Sequence, residues 1–141
     1  MNHFYAHQWY EKEQKRKEEF QKKQNISLIN RNLQRILHQM EGSIHREDYE
    51  KEASVVNRML IQSHIWNMTY ANNFENGQVA VEQGLLIYTI LMRESLENKT
   101  YYLNEVERYM RQLAHVDYNL YLEYGRRKQV ISRKEKESAN E

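Results

Sequence analysis

The chain is predicted to be all-α: an up-down bundle of three to four long helices with a charged N-terminal extension. Three observations predict this. Among 141 residues there is no proline and there are only four glycines, so the residues that sandwiches and barrels need at their many turns are missing. Apolar residues recur at 3-4 spacing, the period of a helix face rather than of a strand. Charged residues make up 29% of the chain and mean hydropathy is −1.00, as expected for apolar seams on otherwise solvated helices. A chain of this length forms one domain, with or without arms.

The first helix spans about residues 3–41 and has two parts. Glu11 to Gln24 (EKEQKRKEEFQKKQ) is charged around a lone Phe20, with good helix formers and the i,i+4 pairs Glu11–Lys15, Glu13–Lys17 and Glu18–Lys22. It has little to bury. From Ile26 the pattern changes to Ile26, Ile29, Leu33, Ile36 and Met40, with Leu37 beside them, the seam of a packed helix. Gly42 offers a cap. A second helix is expected over about Ile44 to Ala71, ending in Asn72-Asn73-Phe74-Glu75-Asn76-Gly77, the strongest loop signal present.

The third helix runs from about Gln78 to Leu96 and holds the most apolar run, Gly84 to Met92 (GLLIYTILM). A glycine inside a helix costs about 1 kcal/mol against alanine, so Gly84 suggests close helix approach. Glu97 to Thr100 is a weak break with Thr100 as an N-cap. If the chain runs straight through it, a long antiparallel coiled-coil dimer becomes the alternative fold. The last helix is expected over about Tyr101 to Tyr124, with the seam Leu103, Val106, Met110, Leu113, Asp117, Leu120 and Tyr124. Asp117 stands where an apolar residue is expected. It either sets register at a seam or sits at the wet edge with Val116 turned inward, and the wet edge is preferred. Gly125 is read as the stop. The chain thus divides into a helical extension tipped with aromatics (1–24), a bundle core (25–125) and a basic polar tail (126–141).

Composition excludes several classes of function. Without cysteine there is no disulfide framework, Cys-based zinc finger or thiol nucleophile. The longest apolar run is far shorter than the roughly 18 residues of a membrane span, so no membrane insertion is expected. With no apolar leader at Met1 to Tyr10, a cytoplasmic location is expected. No Gly-x-Ser-x-Gly, Walker or dinucleotide glycine loop occurs. His3 and His7 have the i,i+4 spacing of half a metal site, but no third ligand lies nearby. No glutamate precedes a histidine by three residues, which removes the di-iron bundle. The pairs Glu105–Glu107 and Glu94–Glu97 read as solvated faces. No enzyme activity, metal or cofactor is expected.

Charge is unevenly placed. Residues 1–40 carry eight Lys/Arg against four acids, residues 41–123 seven against thirteen, and residues 124–141 six against three. An acidic body therefore lies between two basic ends, a pattern that suggests an acidic partner, nucleic acid or docking on the protein's own body. Phe4, Tyr5, Trp9 and Tyr10 crowd an N-terminus that offers them no core, and Tyr and Trp are enriched at interface hot spots. They are the expected partner-binding residues. The leading functional expectation is a non-enzymatic protein–protein interaction module: an adaptor, chaperone or inhibitor that binds another protein, itself as a homo-oligomer, or both. The alternative is a small nucleic-acid-binding accessory protein that meets phosphates with Arg126, Arg127, Lys128, Arg133 and Lys134.

Overall fold

The computed structural model describes residues 3–43, 77–94, 96 and 98–139. They form four α-helices: α1, His3–Ser43; α2, Gly77–Arg93; α3, Lys99–Val116; and α4, Tyr118–Ala139. Among the described residues there is no strand, and no helix is long and apolar enough to cross a membrane. The fold is an all-α helical bundle. The helix expected over 44–71 and the Asn/Gly loop after it lie outside the described residues.

The two parts of α1 behave as their spacing requires. Ile26, Ile29, Leu33, Ile36, Leu37 and Met40 are buried, whereas Phe20 is exposed. The helix formers upstream continue the same helix without contributing to the core. At 1.5 Å per residue the stretch before Ile26 extends α1 by roughly 35 Å.

The helix α2 packs against all three others, as α3 also does. Its buried residues, among them Val79, Val81, Leu85, Ile87, Ile90 and Leu91, spread over most of its circumference, with Gln78, Glu82 and Arg93 on the remaining edge. That is why GLLIYTILM shows no polar face. Gly84 is buried where a Cβ would lie 2.9 Å from Met110 Sδ and 3.2 Å from Tyr124 Cε2. Its missing side chain lets α3 and α4 close on α2, the close approach its position suggested.

The break expected at 97–100 is present, and three other features differ from expectation. The helix does not run through the break at 97–100, so no continuous rod forms: α2 ends at Arg93 and α3 begins at Lys99. The N-cap of α3 is Asn98, not Thr100, and its side chain makes no capping bond. Asp117 interrupts the last seam outright. Its backbone is extended (φ −152°, ψ 100°), and its Oδ1 accepts from the N–H groups of Asn119 (3.1 Å) and Leu120 (3.3 Å). It is exposed while Val116 packs against the core, as the wet-edge reading has it, but its work is to cap α4. Gly125 is no stop, because α4 passes through it to Ala139. No glycine has a positive φ among the described residues, and contacts on its far side hold the helix in place.

Those contacts give the topology. A straight helix would put Glu107 and Lys128 about 30 Å apart, yet Lys128 Nζ donates to Glu107 Oε1 over 2.7 Å. The chain therefore doubles back at Asp117, and α3 and α4 are antiparallel. Gln78, Glu82, Tyr88 and Arg93 meet Glu123, Arg127, Ser132 and Glu135 in ascending order, so α2 and α4 are parallel. Ile26 and Leu120 both lie beside Gly77, at the end where α2 and α4 begin. The core stripe of α1 continues from there to Met40, so α1 runs alongside α2, and residues 3–24 reach past that end.

Candidate interaction surface

The arm formed by residues 3–24 has its own local supports. His7 Nε2 lies 3.1 Å from Glu11 Oε1, and Arg16 Nη1 donates to Glu13 Oε1 over 3.4 Å. Gln21 Nε2 donates to Asn25 Oδ1 over 3.1 Å, tying the arm's base to the packed part of α1. Such same-helix pairs contribute about 0.2–0.5 kcal/mol each.

Tyr5, Trp9 and Phe20 are 66%, 66% and 61% exposed. Counted at about 100° per residue, they share one stripe of α1, turned roughly 110° from the stripe that enters the core. Tyr10, 57% exposed, lies on another face. Phe4 belongs to the helix, and its side chain lies outside the described residues. Of the four predicted contact aromatics, Tyr5 and Trp9 are thus brought together and Tyr10 is turned away. Phe20, expected as a lone aromatic in a charged helix with little to bury, completes the stripe. The signal for it is its helical phase with Tyr5 and Trp9. Tyr101 and Tyr118 are also exposed, but each packs beside a second tyrosine of the body, Tyr102 and Tyr121.

The basic cluster after Gly125 is differently placed. Arg127 holds Glu82 with both terminal nitrogens, Nη2–Oε2 being 2.9 Å, and Glu123 lies 3.9 Å away. The hydrogen bond to Glu82 keeps its guanidinium above its ordinary pKa. Lys128 binds Glu107 and stands over the rings of Tyr124 (5.4 Å) and Tyr88 (5.7 Å). Tyr124, 1% exposed, donates its hydroxyl to Glu107 Oε1 over 3.0 Å. Burial pushes this phenol far above its usual range, with Glu107 adding to the shift. Tyr88 and Ser132 hydroxyls are also bonded to each other. Two of the five candidate nucleic-acid contacts are therefore occupied by carboxylates of the body, while Arg126, Arg133 and Lys134 are exposed.

Glu107 belongs to this half-buried network rather than to a solvated face, and Glu94 is buried as well. Periodicity does not reveal either, since their surroundings come from other helices. Gln83 is buried in α2 without a hydrogen-bond partner among the described residues. No group of three or more His, Asp or Glu that could hold a metal occurs among the described residues. Two shallow grooves flank the elements above. One, about 240 Å³, lies at the base of the arm between Leu28 and His115; the other, about 340 Å³, runs along Tyr121 and Lys128. No protein-family model, curated protein or solved structure matches the chain.

Proposed function

We propose that this chain is a non-enzymatic protein–protein interaction module whose contact surface is the outer stripe of the α1 arm. The observation that carries this reading is the placement of Tyr5, Trp9 and Phe20. Each is more than half exposed, and all three lie on a face of α1 that the core does not use. Large rings buried at an interface contribute about 1.5–3 kcal/mol each by area, so three in a row suffice for a specific contact. The nucleic-acid reading has less support, because Arg127 and Lys128 hold the fold together with Glu82 and Glu107.

A photo-crosslinking residue placed at position 9 in the full chain, expressed in cells, tests the proposal. Discrete protein adducts are expected there, sensitive to protease and insensitive to nuclease, and none from the same residue at position 133. An empty position 9 overturns the reading.

A further inference from the structure

Three cations share the arm's aromatic stripe. Tyr5, Trp9, Lys12, Arg16, Phe20 and Lys23 follow one another at spacings of 4, 3, 4, 4 and 3, and all six are exposed. Spacings of three and four keep residues on the one face that a helix presents to a second helix. The seam is apolar at the tip, positive at Lys12 and Arg16, apolar again at Phe20 and positive at Lys23.

We propose that this stripe binds an amphipathic helix of another protein, one that carries carboxylates along the edge of its apolar seam. The proposal rests on the interaction-module reading and adds the chemistry of the partner. Charge selects the occupant. In a parallel pair of arms each cation meets its own copy. In the antiparallel register that overlaps the whole stripe, Lys12 meets Arg16. Both arrangements set like charges against each other at a seam, which discriminates against a second copy. A polyanion is disfavoured by Glu13 and Glu19, which flank the stripe on its two sides. Glu13 is held by Arg16, and Glu19 is exposed. Phosphates that approached Lys12 and Arg16 would also approach these carboxylates. A partner helix can offer acids opposite Lys12, Arg16 and Lys23 and a base opposite Glu13 or Glu19. The shape agrees: a lone convex helix fits the groove of another helix, whereas single-stranded nucleic acid is held in a basic groove lined with stacking rings.

The probes are two labelled helical peptides with leucine at their seam positions, one flanked by glutamate and its twin by lysine. Each is titrated with the full-length protein and read by fluorescence anisotropy. The glutamate peptide is expected to bind and its twin not to. Trp9→Ala and Phe20→Ala should each weaken binding about tenfold, with circular dichroism and melting like the parent's. The triple reversal Lys12→Glu, Arg16→Glu, Lys23→Glu should transfer binding to the lysine peptide. The proposal is overturned if the reversal leaves the preference unchanged or if neither peptide binds. It is equally overturned if Trp9-dependent binding is found for oligothymidine or for vesicles containing phosphatidylserine, or as self-association in sedimentation. If neither peptide binds while position 9 still cross-links to protein, the module reading stands and the acidic helix falls. If cross-linking fails too, both fall.

Discussion

Residues 11–24 and 126–139 resemble one another as sequence. Each mixes Lys/Arg with glutamate, and each carries few apolar residues: Phe20 in the first, Val130, Ile131 and Ala139 in the second. In the fold they part company. The C-terminal stretch lies along α2 and α3, where Glu82 and Glu107 stand opposite Arg127 and Lys128, and Arg93 of α2 holds Glu135 at 2.7 Å. In the N-terminal arm His7 pairs with Glu11 and Arg16 with Glu13 inside α1, and Phe20 is exposed. What separates them is the presence of opposite charges on a neighbouring helix at matching height. Arg127, Lys128 and Glu135 thereby make the C-terminal run part of the body.

The most direct way to break this comparison is to remove a large ring from the attached end. Tyr124→Ala should cost about 3–5 kcal/mol, the range for losing a buried aromatic side chain, since Tyr124 is almost fully enclosed and touches the Gly84 notch. Urea denaturation measures it. A loss below about 1 kcal/mol would mean that α4 is held by its ion pairs rather than by this ring.

The hydroxyl is separable from the ring. Tyr124→Phe removes the bond to Glu107 and should cost about 1–2 kcal/mol at neutral pH, less than a fully buried charge pair because Lys128 still satisfies Glu107. The pH dependence follows from linkage. Folding raises the pKa of this phenol above its ordinary value of about 10, so the folded state favours the protonated form. Its contribution is complete below about pH 10 and falls as pH rises beyond that. The stability gap between the parent and Tyr124→Phe should therefore hold steady up to about pH 10 and narrow above it in urea melts. A gap that stays constant or widens contradicts the buried, carboxylate-bonded phenol.

These expectations rest on features that were unequally legible in the sequence. The core stripe of α1 could be read residue by residue, because 3-4 spacing is itself the geometry of one helix face. The same arithmetic reveals that Phe20 is in phase with Tyr5 and Trp9. The break at Asp117 was hidden by its own position: it falls on the seam's spacing, so a helix drawn through it keeps its apolar face, and only the capping ability of aspartate hints at a new start. Gly125 misled for the opposite reason. A glycine between a seam and a basic run looks like a stop, but the bonds that carry α4 past it join residues 21 to 45 positions apart, such as Lys128 with Glu107 and Arg127 with Glu82. Local spacing carries no information about pairs that only the hairpin at Asp117 brings together.

Gly125→Ala sharpens the comparison from the other direction. A Cβ at this position meets nothing within 4 Å and the backbone is not left-handed. Alanine should therefore stabilise the protein by about 0.5–1 kcal/mol, the intrinsic penalty of a mid-helix glycine. If α4 truly ended there, the substitution would instead remove a useful cap, and the melting temperature would fall.

The smallest expected effect belongs to the arm. Trp9 is as large a ring as any in the attached end, yet it is 66% exposed on a face of α1 that the core does not use. Its removal should move the unfolding midpoint by less than about 0.5 kcal/mol, as for surface substitutions away from packing. Leu33→Ala in the same helix, at a position 0% exposed, should cost about 2–5 kcal/mol and serves as the internal control. Placing both in one helix removes helix propensity and length as explanations, since the two positions differ chiefly in what they touch. A normal melt for Trp9→Ala together with lost cross-linking from position 5 assigns the ring to a partner. A destabilised monomer would instead mean that the arm packs on its own body and that the two basic ends share one role. A variant that melts and cross-links like the parent would leave the aromatic stripe neither contact nor core, and the distinction between the two ends would then rest on the ion pairs of α4 alone.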